Sequence, residues 1–216
     1  IEPISDRYEE GYIVRNEDGK YGVINYSKTV ALETEYDDIK NAYGNGRYYI
    51  VQEGNDWKIV DTDGKEYLSG DYDDIIDING ENAIVENDGK FGVVSISDGK
   101  NIIDTNYDSI TYASANKYIV TQNSKSGIID SDGNQLIELQ YSSLVYRDYA
   151  DLYEGVKEDY TSDIIDSNMT VRLSNVIVTE WNSNGGYIRV NDNGEYKYYN
   201  FRLEERTNRE LLTSNT

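Results

Sequence analysis

One stretch recurs along the chain and paces most of its 216 residues: Gly89-Lys90-Phe91-Gly92-Val93-Val94, running on to Tyr107-Asp108-Ser109-Ile110. The closing tyrosines of its copies, Tyr36, Tyr72, Tyr107 and Tyr141, lie 36, 35 and 34 residues apart. A second landmark, Ile13, Ile50, Ile84 and Ile119, is spaced by 37, 34 and 35. Two independent landmarks on one period point to an array of like units, none of which can bury its apolar residues alone.

Each unit reads as short β-favouring runs separated by turn residues. The first has Tyr12-Ile13-Val14, the turn Asn16-Glu17-Asp18-Gly19, Lys20-Tyr21-Gly22-Val23-Ile24, Thr29-Val30-Ala31-Leu32, and Tyr36-Asp37-Asp38-Ile39 as its close. Two degenerate copies follow the four clear ones. Ile164-Ile165-Asp166 falls 36 residues after Ile128-Ile129-Asp130, and Asn200 falls 34 beyond Asp166. The expected organisation is one domain of six units, approximately 4–39, 40–75, 76–110, 111–144, 145–180 and 181–216. Glu180 to Gly186 reads as a loop before the sixth unit, and Glu204 to Leu212 as a short helix or a last strand.

Period two fixes what faces what. Tyr21, Trp57 and Phe91 share a strand face with Val23, Ile59 and Val93, while Gly22, Gly92 and Gly127 share the other with Ile24, Val94 and Ile129. Both faces are therefore apolar, and one has a gap where a neighbour can approach closely. A sheet apolar on both sides must be covered on both sides, and stacked sheets do this without helices. The class is all-β. Six units make a number that closes, so a small six-bladed β-propeller is favoured. The alternative is an open β-hairpin solenoid, since blades usually take about 40 residues.

Composition removes several functions. With 41 acidic residues against 20 basic ones, the formal charge is −21, which repels phosphate backbones and makes nucleic acid an unsuitable partner. Without cysteine or histidine there is no thiolate nucleophile, no zinc–thiolate site, and neither the commonest general base nor the commonest transition-metal ligand. No apolar run is long enough for a membrane span, so direct insertion of this segment is not expected. The chain opens on Ile1, which suggests a processed or excised segment with any signal or anchor upstream.

The order Gly-Lys-aromatic-Gly-apolar-apolar, then Asp-Gly, then Tyr-Asp-x-Ile, resembles the bacterial Trp-Gly (WG) repeat family. The matching stretches are Gly19 to Ile24, Trp57 to Asp61, Gly89 to Val94 and Lys125 to Asp130, with Tyr-Gly, Trp-Lys, Phe-Gly and Ser-Gly in place of Trp-Gly. The resemblance covers roughly residues 8–145. It implies a β-rich interaction module of exported or surface proteins and transfers no catalytic motif.

Asp61-Thr62-Asp63-Gly64, Asp130-Ser131-Asp132-Gly133 and Asp192-Asn193-Gly194 have oxygen ligands suited to calcium. They fall where hairpins must turn, so they read first as turns, and no cofactor is expected. The alternative is a carbohydrate-active enzyme, with paired carboxylates as glycosidase acid and base, or a ligand-sensing domain, using acidic residues at the centre of a propeller. The repeated tyrosines read as packing residues with a polar tip. Aromatic and arginine residues off the repeat are the better ligand candidates: Tyr146, Arg147, Tyr149, Tyr153 and Trp181. The expectation is a non-catalytic binding or scaffolding module, extracellular or at the cell surface, for a protein or glycan ligand.

Overall fold

A computed structural model describes residues 2–7, 11–40, 47–69, 72–114 and 116–207. The described residues form strands and turns, with no helix. By compactness the chain falls into two units, Ile1–Ile110 and Thr111–Thr216.

Three four-stranded antiparallel sheets make up the first unit, each with its strands in chain order. They are β1 (Glu2–Arg7), β2 (Gly11–Arg15), β3 (Tyr21–Asn25) and β4 (Val30–Tyr36); β5 (Asp38–Lys40), β6 (Tyr48–Glu53), β7 (Asp56–Asp61) and β8 (Glu66–Ser69); and β9 (Asp74–Asn79), β10 (Asn82–Asn87), β11 (Lys90–Ser95) and β12 (Asn101–Tyr107). A fourth sheet holds β13 (Ser109–Tyr112), β14 (Lys117–Gln122), β15 (Lys125–Asp130) and β16 (Gln135–Tyr141). The remaining strands form one seven-stranded sheet: β17 (Ser143–Arg147), β18 (Leu152–Val156), β19 (Ser162–Asp166), β20 (Val171–Asn182), β21 (Tyr187–Asp192), β22 (Glu195–Asn200) and β23 (Glu205–Arg206). Its long strand β20 pairs first with β19 and then with β21, so it serves as the last strand of a fifth repeat and the first of a sixth. The all-β repeat class expected from the period is what the chain adopts, and each four-stranded sheet has the sequential antiparallel build of a propeller blade.

The Tyr-Asp-x-Ile segment straddles two sheets instead of closing one. Tyr36 ends β4 opposite Tyr21, whereas Asp38 and Ile39 pair with Gln52 and Val51 of the next sheet. Asp37 between them accepts from Lys20 Nζ at 2.7 Å and from the Gly54 backbone N–H at 2.8 Å. The lysine of the Gly-Lys-aromatic-Gly motif thus reaches the carboxylate that caps the following hairpin. Lys90 and Asp108 repeat the ion pair.

The glycine of the motif admits its own sheet's last strand, not a neighbouring unit. An ideal Cβ on Gly22 would stand 2.6 Å from the Leu32 carbonyl oxygen, and one on Gly127 would stand 2.5 Å from that of Ile137. The register jumps at these points, from Tyr21–Tyr36 to Val23–Leu32 and from Ser126–Tyr141 to Ile128–Ile137, so the outer strand bulges over the glycine. Lys58 holds this position in the second sheet, where pairing runs unbroken from Lys58–Ser69 to Ile59–Leu68. The buried ammonium is held by Glu53 and Glu66.

The core lies between successive sheets. Ile13, Val23 and Leu32 pack with Ile39, Tyr49, Val51 and Val60, and Ile50, Ile59 and Leu68 pack with Ile75, Ala83, Val85 and Val94. Tyr36 and Tyr141 are buried in this packing, and Tyr72 is partly so. Glu180 to Asn182 belong to β20, so the expected loop shrinks to the turn at 183–186; of Glu204 to Leu212, Glu205–Arg206 is strand and residues 208–212 lie outside the described residues.

Candidate functional site

The fifth repeat departs from the pattern, and its alternation sorts the candidate residues onto two faces. On β17, Leu144 and Tyr146 face one side and Val145 and Arg147 the other. Tyr146 lies with Tyr153, ring centroids 4.8 Å apart, and its hydroxyl donates to Asp151 Oδ1 at 3.0 Å. Tyr153 is fully buried, its hydroxyl 2.8 Å from Ser114 Oγ, within a core that includes Ile128, Tyr141 and Ile165. These two tyrosines are packing residues of that face.

Arg147, Tyr149 and Trp181 come together on the opposite face, around Glu154. Glu154 Oε2 accepts from Arg147 Nη2 at 3.0 Å and from Trp181 Nε1 at 2.8 Å, while Oε1 accepts from Ser162 Oγ at 3.3 Å. The Glu154 carboxylate is buried, and these three donors offset the cost of taking it out of water. The Arg147 guanidinium stands over the Trp181 ring, 5.3 Å from its centroid. Its buried Nε has no hydrogen-bond partner among the described residues. Beyond them the turn at 148–151, closed by Ala150 N–H to the Arg147 carbonyl at 3.0 Å, carries Tyr149 outward. Tyr149 is 46% exposed and meets Trp181 edge-on at 6.5 Å and Phe201 at 5.6 Å. The result is an exposed aromatic rim on a hydrogen-bonded base.

A second polar centre lies on the other face. Asp163 accepts four hydrogen bonds: Oδ1 from Lys157 Nζ (2.6 Å), Ser174 Oγ (2.8 Å) and the Asn175 N–H (3.1 Å), and Oδ2 from the Tyr141 hydroxyl (3.0 Å). Burial pushes its pKa up, but the donors, Lys157 foremost, outweigh that and hold the carboxyl below its ordinary range. A carboxylate so held is not a proton donor near neutrality.

Glu154 and Asp163 belong to no local motif, yet the period locates both. Glu154 falls 35 residues after Ile119, where the first four repeats have isoleucine, and Asp163 falls 36 after Gly127, where three of the first four have glycine and the second has Lys58. The aspartates weighed for calcium are occupied by their own turns. Asp61 Oδ1 accepts the N–H groups of Asp63 and Lys65, and Asp130 Oδ1 those of Asp132 and Asn134. Asp192 pairs with Lys197 at 2.7 Å. Among the described residues no three acidic side chains are grouped to hold a metal ion.

Residues 21–57, 59–91 and 92–125 match the model of the WG containing repeat. Each matched copy begins on or just inside the third strand of one sheet and ends in the third strand of the next, so the sequence repeat ties adjacent sheets together. No curated protein matches the chain. Among solved structures, a eukaryotic initiation factor is similar at 13% identity and TM-score 0.52, over 94% of this chain and 63% of that one. Kluyveromyces lactis Hsv2 is similar at 10% identity and TM-score 0.49, over 97% and 75%. The C-terminal WD40 domain of Sif2 is similar at 10% and 0.42, over 89% and 64%. The likeness to the initiation factor is one of fold. Residues 21–125 thus resemble the WG containing repeat family in three consecutive copies.

Proposed function

We propose that the chain is a non-catalytic protein-binding module whose contact surface is the rim formed by Tyr149 and Trp181, braced by Arg147. The observation that carries this is the Glu154 carboxylate, which fixes Arg147 and Trp181 together beneath an exposed tyrosine. Tyr, Trp and Arg dominate the energetics of protein interfaces, and side chains fixed in advance lose less entropy on binding. The buried carboxylates of this region are engaged by donors already, which supports binding over acid–base chemistry.

The test is quantitative capture from extracts of the source cells on immobilised wild-type chain and on Tyr149→Ala. A protein retained by the wild type and lost from the variant, with unchanged circular dichroism, is the expected result. Identical retained sets would overturn the assignment.

A further inference from the structure

The rim of Tyr149 and Trp181 has a third ring, Phe201, and all three lie within the one unit Thr111–Thr216. Phe201 follows Asn200 in a turn closed by the Asn200 N–H to the Glu204 carbonyl at 3.0 Å, the bond that Asp61, Asp130 and Asp166 make in their own turns. Those turns carry Thr62, Ser131 and Ser167 where this one carries Phe201, so the repeat does not require the ring. Leu203, at φ +61°, stands where Gly64 and Gly133 stand, in a left-handed conformation unfavourable to leucine. Its side chain, with those of Phe201 and Trp181, packs against the core of Ile188 and Val190. Backbone strain of this kind clusters at functional sites.

The rings are inclined to one another, not stacked. Tyr149 stands at 80° to Trp181 and at 54° to Phe201, with centroids 6.5 and 5.6 Å away. Near-perpendicular pairs elsewhere are tighter, 5.1 Å for Tyr48–Tyr67 and 5.5 Å for Tyr12–Tyr26. A corner of two perpendicular ring faces that share a cation about 4.5 Å from each holds their centroids roughly 6.4 Å apart. The Tyr149–Trp181 spacing is that of such a corner.

The polar atoms around the rings decide what the corner takes. Trp181 Nε1 and Arg147 Nη2 are both spent on Glu154 Oε2, and Ser162 occupies Oε1. Glycans and anions are held by convergent donors, and a bare ammonium needs acceptors that Glu154 no longer has to offer. An alkylated ammonium is held by ring faces alone. Asp148 and Asp151, exposed on either side of Tyr149, and the net charge of −21 attract a cation. The charge of Arg147, 5.3 Å over the indole, is already offset by Glu154.

We propose that this corner takes a methylated lysine side chain of the partner protein, its quaternary ammonium lying against Tyr149, Trp181 and Phe201. The proposal rests on the protein-binding role of the rim.

The chain holds two tryptophans, so the indole N–H region of its NMR spectrum has a reporter at the site, Trp181, and one away from it, Trp57. Titration of the intact chain with acetylated, amidated trimethyllysine to about 50 mM is expected to shift the Trp181 signal saturably and leave Trp57 unmoved. Lysine in the same form, and a neutral isostere ending in a tert-butyl group, are expected to bind at least about tenfold more weakly. Tyr149→Ala should abolish the response, and Tyr149→Phe, which keeps the ring, should retain it. No saturable shift, an equal response to lysine or to the isostere, or a response that survives Tyr149→Ala overturns the proposal. Tyr149-dependent sedimentation of the chain with phosphatidylcholine vesicles would give the corner to a lipid headgroup and equally overturn it. If capture of a partner is lost with Tyr149→Ala while trimethyllysine gives no shift, the rim stands as a protein contact and the ammonium alone is refuted.

Discussion

The hydroxyl of Tyr141 donates a 3.0 Å hydrogen bond to Asp163 across the face of the fifth repeat, and the Tyr141 ring lies against Gly155, where an ideal Cβ would stand 2.6 Å from a ring carbon. Gly155 is paired with Asp163, at a place where the earlier pairs are Val14–Gly22, Val85–Gly92 and Val120–Gly127. The small and large members have changed strands. Opposite Asp163, Ser174 and Asn175 lie between the register points Leu173 and Val176 and bond to the carboxylate, so the bulge over glycine becomes a cap on an aspartate.

This exchange predicts unequal losses. Asp163→Ala leaves the buried Tyr141 hydroxyl without its acceptor and Lys157 with Asn175 Oδ1 alone, and is expected to cost about 2–3 kcal/mol. Tyr141→Phe removes one of four donors and is expected to cost about 1 kcal/mol. Urea midpoints measure both, and equal losses would contradict the assignment of the carboxylate as the centre of the cluster.

Acid sensitivity follows from the same group. The Asp163 pKa lies below its unfolded value, so its contribution is present above about 3.9 and is lost as pH falls through the folded value. The stability gap between wild type and Asp163→Asn is therefore expected to narrow below about pH 4. A gap that stays constant from neutrality to acid would exclude the linkage.

At the alkaline end, burial first and Glu81 second push the Tyr48 pKa up to about 12, and burial with Glu35 pushes Tyr36 to about 12. Raised phenol values stabilise the fold fully below about 10, and the contribution is lost as pH rises toward the folded values. Phenolate absorbance followed beside circular dichroism checks this. Tyr36 and Tyr48 should ionise only as circular dichroism reports unfolding. Simultaneous ionisation of all tyrosines in a folded chain would contradict their burial.

The motif glycines should differ from the turn glycines. Gly92→Ala places a methyl 2.6 Å from Thr105 Oγ1 and 2.8 Å from the Ile103 carbonyl oxygen, an overpacking expected to cost about 1–3 kcal/mol or more. Gly89→Ala meets no atom within 4 Å, and its cost arises only from the φ of +71°. That strain is expected to cost about 1 kcal/mol. Thermal melts of the two variants give the order, and a milder effect at Gly92 would refute the close approach of β12.

What the sequence disclosed and what it hid have a common physical origin. Ile13, Ile50 and Ile84 recur because each sheet must bury the same face, so the β class and the packing role of Tyr36 and Tyr141 were readable from spacing. The assignment of Asp38 and Ile39 to the next sheet was not, because strand pairing there depends on which partner Asp37 caps. Tyr153 was grouped with Arg147 and Tyr149 because all three fall off the repeated aromatic positions. Alternation along β18 instead sends Tyr153 into the core and Glu154 toward Trp181. Glu154 and Asp163 were visible only as charges where the period mostly has isoleucine or glycine, and pairing across strands was needed to show what neutralises them.

The binding role rests most directly on Tyr149. Titration calorimetry of the captured partner against wild type, Tyr149→Ala and Tyr160→Ala separates an assembled rim from mere exposure, since Tyr160 is the more exposed ring at 84% against 46%. The account predicts a loss of about tenfold or more for Tyr149→Ala, the scale of an interface hot spot, and wild-type affinity for Tyr160→Ala. Equal affinities for all three proteins would contradict it.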